Sequence, residues 1–445
     1  MKKVSVEAIE VIEKSLKSKK IREYEIFFLE QDVYETEFLK HKIDAVREVN
    51  DIEYVMRILT QKGDETGIGI VKGNSLSLPQ IEKNIDICQL LSKENNGSKY
   101  YFPEQKPLKP IKTADQSIVK DPIGFKIDMS EKILKEIGEH REVEPTFGRF
   151  RIHIQNKTLT NSTGLNLEAS KTFFYIEMAL KAQENGKLSE AWEIEYIKEK
   201  EQLDIENRVN KWARIAVDTL KAKIPKPNKQ ATVIFPPNVL KNAINPVIGF
   251  HALGKAYHEK ISALKVDAKV ASDTFSLRDD GLLEGGLRCN SWDGEGNPHK
   301  LSEVIKNGIF KNRLYDQKFA IMGNTESTGN GIRIDDGSVI NSISNLEILP
   351  GDIAKEEMIS NIKEGYLIEK CSWLNPDRFS GSFGTEIRNG YFIKNGQIEY
   401  PIKGGNISGN VLEMIKNCDY ISKEREFSLN SLFPYITFKN LSISS

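Results

Sequence analysis

Histidines are few in this chain, and two of them lie close enough in sequence to suggest metal chemistry. Only six occur among its 445 residues, and His251 and His258 share one short stretch that continues into Glu259. A zinc peptidase needs two or three ligands on one surface together with a glutamate that acts as the base. His251 and His258 are therefore the candidate metal ligands, and Glu259 is the candidate catalytic residue.

The spacing of these histidines argues against a shared metal ion. On a helix, seven positions are almost two turns, so both imidazoles would share a face but stand about 10 Å apart along the axis. Zinc-binding helices place histidines four positions apart, as in HExxH, whereas Ser262 stands four positions after His258. The alternative interpretation is two ordinary histidines of an amphipathic helix, replaceable at modest cost to stability.

Other short motifs do not complete a catalytic site. The stretch 293–297 (Asp-Gly-Glu-Gly-Asn) begins like a calcium loop, but Pro298 occupies the loop position that needs glycine, and Val304 the position that needs glutamate. A tight acidic turn is the better interpretation. The chain also has no Gly-Lys-Ser/Thr phosphate loop and no Gly-x-Ser-x-Gly nucleophile elbow.

Charge and composition exclude several classes of partner. With 63 Lys and Arg against 64 Asp and Glu, the formal net charge is -1, so the chain lacks the basic surplus expected of a nucleic-acid binder. No signal-peptide pattern and no run of 18 apolar residues is present, so we expect no membrane association and a cytoplasmic location. The four widely spaced cysteines form no CxxC pair and are expected to be reduced thiols.

The hydrophobic pattern predicts an α+β protein, with an α/β N-terminal region that contains antiparallel strands and a β-rich C-terminal domain. We divide the chain into an N-terminal helix with antiparallel strands (1–92), a connection (93–122), a second α/β segment (123–224) and the C-terminal domain (228–445). No internal repeat is detected.

Turn signals give the finer predictions. A helix is expected to begin at Pro246, with Asn245 as its N-cap. Dipeptides such as Asn307-Gly308, Asn389-Gly390 and Asn395-Gly396 are typical of tight turns between β-strands.

Several stretches resemble the TldD/PmbA family, whose members were once called modulators of DNA gyrase. In the C-terminal half, Ile305–Phe310, Ser327–Gly331, Leu349–Asp352 and Ile393–Asn410 resemble motifs of that family, in the family's order. In the N-terminal half, Asn161–Gly164 resembles the family's "NSxG". The chain is therefore identified as a member of this family.

The resemblance implies a cytosolic metalloprotease system in which TldD carries zinc on a helical HExxxH and a C-terminal cysteine. Here the corresponding stretch, 251–256, reads His-Ala-Leu-Gly-Lys-Ala, and the expected cysteine position falls near Ser428. These departures favour the PmbA/TldE branch, whose members generally lack the zinc site and pair with TldD.

We therefore expect a PmbA/TldE-like subunit with no cofactor of its own, zinc in a TldD-like partner, and an extended peptide as substrate. The chain would pair with a TldD-like paralogue or with itself. Glycine-rich hairpins offer backbone groups for contact with a peptide or partner, and the candidate residues are Asn395, Gly396, Gly404, Gly405 and Asn410. The alternatives are an independent zinc metallopeptidase and a non-enzymatic binding protein or gyrase modulator.

Overall fold

The structure is a computed structural model that describes residues 2–445, with side chains from Ser5 onward. Its N-terminal half contains one six-stranded antiparallel sheet, in the spatial order β3-β2-β1-β4-β5-β6. The strands are β1 Tyr24–Leu39, β2 Lys42–Lys62, β3 Glu65–Gly73, β4 Val143–Asn161, β5 Asn166–Glu184 and β6 Lys187–Ile197. The helices are α1 Lys2–Ser18, α2 Leu78–Glu94, α3 Gln116–Lys120, α4 Pro122–Gly138 and α5 Ile205–Leu220.

The backbone of this half repeats itself although its sequence shows no repeat. A long helix, three consecutive strands and a second long helix occur first as α1-β1-β2-β3-α2 and again as α4-β4-β5-β6-α5. The two units join through the antiparallel pair β1–β4, in which Glu25 lies opposite Asn161. Each unit packs its helices on its own apolar cluster, so different side chains satisfy the same architecture.

The C-terminal half is dominated by an eleven-stranded sheet and a small two-stranded sheet. Its strands are β7 Asn228–Phe235, β8 Leu277–Asp280, β9 Leu301–Lys306, β10 Ile309–Phe310, β11 Gly331–Arg333, β12 Val339–Asn341, β13 Leu346–Ile348, β14 Glu364–Cys371, β15 Ser382–Lys394, β16 Gln397–Ile402, β17 Asn406–Asn410, β18 Cys418–Ser428 and β19 Ser431–Ser444. Because β7 pairs with both β14 and β19, the strands β19-β17-β15-β14-β7 close into a ring. This architecture confirms the predicted α+β class.

A helical segment crosses the core of the C-terminal half. It begins as α6 Pro237–Ile244, continues through a π-helical turn, Asn245–Gly249, and ends as α7 Phe250–Ala252. The shorter helices that follow are α8 Gly254–His258, α9 Gln317–Met322, α10 Lys355–Ser360 and α11 Val411–Met414. The predicted helix start at Pro246 is wrong, because the helix begins nine residues earlier and the π turn accommodates a proline that cannot donate a backbone hydrogen bond.

A buried ionic network joins the two halves. Glu25, which is fully buried, accepts two hydrogen bonds of 2.9 Å from Arg57 on the neighbouring strand and one of 2.6 Å from Arg333 of the C-terminal half. Arg57 also donates to the Tyr100 hydroxyl, which in turn donates to Glu295 at 2.7 Å. Since buried charges are tolerated only when paired, this network fixes the contact between the halves.

Candidate functional site

A cleft of about 1390 Å³ lies between the two halves. One wall comes from β6 and α5 of the N-terminal half, and the other from α6, the π turn and the segment after β14. The floor includes Ser428 and Leu429, at the turn between β18 and β19. The cleft is larger than the usual pocket for a small ligand and suits an extended chain.

The walls of the cleft combine apolar surface with paired charges. Trp373 is 79 % exposed and lines the cleft together with Phe250 and Leu253. Arg214 donates to both oxygens of Glu369, at 2.9 and 3.1 Å, and also to the Tyr391 hydroxyl. Apolar side chains beside a few fixed polar groups are typical of ligand-binding sites.

One buried acceptor in the cleft has no partner within the described chain. The Nδ2 of Asn238 donates to the Glu369 carbonyl at 3.1 Å, but its Oδ1 is buried without a hydrogen bond. A buried carbonyl oxygen left unpaired is costly, so an incoming N–H group would be stabilised there. Neither Asn238 nor Trp373 belongs to a recognisable sequence motif, and sequence reasoning missed both.

The structure places the first candidate ligand, His251, in the core rather than in the cleft. Its side chain is fully buried, its Nδ1 accepts from the Ala263 backbone N–H at 3.1 Å, and its Nε2 lies 3.1 Å from the Phe379 carbonyl oxygen. This pattern defines a neutral imidazole that carries its proton on Nε2. Burial lowers the pKa of His251, which agrees with the neutral form.

His251 and His258 do not share a helix, so the prediction of one common helical face is wrong. The chain turns extended at Leu253, with ψ of 145°, and Gly254 donates to the Leu314 carbonyl at 2.8 Å. His258 lies at the end of α8, its ring 5.9 Å from the ring of Phe319, and its buried Nε2 makes no hydrogen bond within the described chain. Glu259 is the exposed C-cap residue of α8, and neither residue lines the cleft.

The surroundings of His251 do not suit a zinc ligand. Both ring nitrogens of His251 are engaged by backbone groups, and a ligand needs one of them as a free lone pair. Across residues 2–445, no three His, Cys, Asp or Glu side chains cluster in a way that could hold a metal. The cleft-facing neighbours of His251 are Gly249, Phe250 and Leu253, and the position where the resemblance expects a cysteine ligand is the cleft residue Ser428.

The five predicted contact residues all make hydrogen bonds within the chain. Asn395 and Gly396 have positive φ values of 49° and 77° and form the turn of the β15–β16 hairpin, and their N–H groups donate to Lys363 and Ile362. Gly404 donates to Ile387, and Gly405 accepts from it. The Asn410 side chain caps α11. Their contact with a peptide or a partner remains a prediction.

The acidic stretch 293–297 forms a tight turn that the Asp293 side chain closes. Asp293 Oδ1 accepts from the N–H groups of Glu295 and Asn297, and its Oδ2 accepts from that of Gly331, each at 2.9 Å. Nearby, Asp316 caps α9 by accepting from the Phe319 N–H at 2.8 Å. Burial and the charge of Glu295 raise the pKa of Asp316 to about 7.

Comparison with known proteins assigns the chain to a class of metallopeptidase-related proteins. Residues 228–445 match the PmbA/TldA metallopeptidase C-terminal domain. A metalloprotease of Methanocaldococcus jannaschii is 26% identical over 82% of each chain. The metalloprotease PmbA of Escherichia coli O157:H7 is 23% identical over 64% of this chain and 61% of its own.

Solved structures share the whole fold. TldE from Thermococcus kodakarensis superposes with a TM-score of 0.87 at 21% identity, covering 98% of this chain and 100% of its own. A Thermotoga maritima protein described as a candidate modulator of a DNA gyrase gives 0.85 at 20% identity, over 99% and 100%. Residues 228–445 belong to the TldD/PmbA family, as the sequence motifs of that half predicted.

Proposed function

We propose that this chain is a PmbA/TldE-like subunit of a TldD-type cytosolic metalloprotease that acts on unstructured peptides. It would have no zinc site of its own, and zinc would lie in a TldD-like partner. The observation that carries this proposal is the engagement of both His251 ring nitrogens by backbone groups, at the end of a helix that breaks at Leu253.

The cleft supplies the role of the chain in this proposal. Trp373, Phe250 and Leu253 offer apolar surface for the side chains of an extended peptide, and Asn238 Oδ1 offers an acceptor for a peptide N–H. These groups bind and orient a chain without a requirement for one particular sequence. A subunit of this kind would hold the peptide substrate while the TldD-like partner cleaves it.

The names of related proteins agree with separate roles for two kinds of subunit, TldD and TldE. Relatives of this chain include a zinc metalloprotease TldD homologue of Saccharolobus solfataricus, and its fold matches TldE of Thermococcus kodakarensis. We therefore infer that this chain pairs with a TldD-like paralogue. Self-association remains the alternative partner arrangement.

Metal analysis combined with a peptidase assay tests the proposal. The purified full chain should hold far less than one zinc ion per molecule and should not cleave an unstructured peptide. Mixing it with a TldD-type paralogue should give a complex of summed mass by light scattering, and chelator-sensitive cleavage. Stoichiometric zinc in the pure chain, lost in His258→Ala, would instead support the independent zinc metallopeptidase.

A further inference from the structure

A second, smaller cavity lies between the N-terminal sheet and the C-terminal half. Its volume is about 150 Å³. Because each molecule of liquid water occupies about 30 Å³, the cavity has room for several waters or for one small ion. Strands β4 and β5 contribute Lys157 and Lys171, and the C-terminal half contributes Arg288, Asp293 and Arg333.

Four basic side chains line this cavity together with a single acidic one, Asp293. Of the four, within residues 2–445, only Arg333 forms an ion pair, with Glu25. Lys171 donates to the Leu287 carbonyl, and Arg288 donates to the Ile343 carbonyl at 2.7 Å. Carbonyl groups satisfy these donors but do not neutralise their charges, so the like charges repel one another.

The one carboxylate that lines the cavity is already occupied. Asp293 accepts three backbone N–H groups, from Glu295, Asn297 and Gly331. It therefore has little capacity left to bind Lys157 or Lys171. In agreement, burial and the charge of Arg333 lower the pKa of Lys157, and burial and neighbouring cations lower that of Lys171.

A buried donor on the cavity wall also lacks a partner. The Arg333 side chain is 7 % exposed; its Nη1 donates to Gly337 and its Nη2 to Glu25 and Gly294, but its Nε makes no hydrogen bond within the described chain. An unpaired N–H donor in buried surroundings is costly, and an oxygen acceptor would remove that cost.

We propose that this cavity binds a compact oxyanion that is held by Lys157, Lys171, Arg288 and Arg333. The ligand chemistry is a small anionic group with two or more acceptor oxygens, to which lysine and arginine donate charge-assisted hydrogen bonds. Two sources share this chemistry: a free inorganic anion such as phosphate, and the carboxylate terminus of a peptide. The second source is reasonable because Arg288 also lines the large cleft.

Thermal unfolding of the full chain tests the site. At matched ionic strength, replacing chloride by inorganic phosphate should raise the unfolding midpoint of the unaltered chain by about 2 °C or more. Lys157→Met and Lys171→Met should each lose most of this increase. In chloride alone they should unfold at the same or a higher temperature than the unaltered chain, because a repulsive charge is removed. Lys83→Met, at an exposed position on α2, should keep the full increase.

The source is distinguished by a pair of short peptides, one with a free carboxylate terminus and one amidated. Stabilisation by phosphate identifies a free anion, and stabilisation by the acid peptide but not by its amide identifies a chain terminus. The proposal is wrong if neither raises the midpoint, or if both lysine variants keep the full increase. Should those variants fail to fold, calorimetric titration of the unaltered chain with phosphate and with the acid peptide decides, and the absence of saturable heat from both overturns the site.

Discussion

At the scale of single residues, His251 differs from a metal ligand only in what its ring nitrogens touch. Sequence reasoning could select it as a candidate because a histidine in an apolar stretch satisfies the chemistry of either role. It could not see the Ala263 N–H and the Phe379 carbonyl, which come from segments 12 and 128 positions away. The contacts that decide between the two roles are thus set by the tertiary fold.

His251 should therefore be costly to replace, whereas the sequence alone predicts a modest cost. His251→Ala should lower the free energy of unfolding by about 2–4 kcal/mol, because it leaves a cavity and two backbone groups without partners. His258→Ala, at a partly exposed site, should cost about 1 kcal/mol or less. Urea denaturation of both variants measures this, and equal costs would contradict the assigned role of His251.

Asp316 should make stability depend on pH. Its folded pKa of about 7 lies above its usual value of 3.8, so the folded state holds a proton that the unfolded state releases. The contribution of this group to the free energy of unfolding should fall as pH rises from about 4 to about 7 and then level off. Asp316→Asn keeps the cap of α9 and removes the titration, so its stability relative to the unaltered chain should grow across that window.

Urea denaturation at pH 5, 6, 7 and 8 measures the difference between the two proteins. The buried histidines titrate in both proteins, so the difference reports on Asp316 and on the buried acidic groups it interacts with, Glu295 first among them. Asp352→Asn is the matched control at an exposed position and should show no such trend. A difference between Asp316→Asn and the unaltered chain that stays constant with pH would show that the carboxyl is ionised in the folded state throughout.

At the scale of elements, the sequence predicts periodic segments well and interrupted ones poorly. Apolar residues alternate over 24–28 and 54–59, where β1 and β2 form, and they make one continuous helical face over 209–220, where α5 forms. Asn389-Gly390, predicted as a turn, instead lies inside β15, where the register against β14 shifts. Glycine is favoured both at such a bulge and in a turn, because a side chain would be sterically unfavourable at either position. The sequence alone therefore does not distinguish the two.

Substitution of glycine in the β15–β16 turn tests how tightly this turn packs against α10. A Cβ at Gly396 would lie 2.5 Å from the Ser360 carbonyl oxygen, whereas one at Gly404 would meet nothing within 4 Å, and both glycines have positive φ. Gly396→Ala should therefore cost about 2–4 kcal/mol, and Gly404→Ala only about 1–2 kcal/mol.

Chemical denaturation measures the free energy of unfolding of both variants. Gly404→Ala is the control, because it strains the backbone at a positive φ without creating a steric clash. Similar costs would mean that α10 moves away from the turn at little expense. If Gly404→Ala remains stable yet weakens binding to a TldD-type partner, the predicted contact role of this region gains direct support.

At the scale of the whole molecule, the cleft exists only because two halves meet. No single segment of sequence contains it, since its walls come from β6, α5, α6 and the segment after β14. Sequence motifs could identify the family, but the motifs that carried the resemblance are mainly turns of the C-terminal half. Those turns shape the fold and do not line most of the cleft.

Trp373 is the residue through which peptide binding in the cleft can be tested. Trp373→Ser should weaken binding of an unstructured peptide about tenfold, as expected for the loss of an aromatic contact. Its unfolding midpoint should hardly change, because the side chain is 79 % exposed. Tyr101→Ser, at a 52 % exposed position outside the cleft, is the control. Unchanged affinity in the Trp373 variant, measured by fluorescence anisotropy with the TldD-type partner present, would place the peptide elsewhere.

The repeated helix–three-strand–helix unit also has a consequence for the order of events in folding. Within each unit the strands join by short turns, such as Leu39 to Lys42 and Glu184 to Lys187, so each three-stranded sheet can form from local contacts. The pair β1–β4 must instead wait for a loop of more than one hundred residues to close, and contacts so distant in sequence form slowly. The two units should therefore gain protection from hydrogen exchange separately during refolding, and the amides shared by β1 and β4 should be protected last.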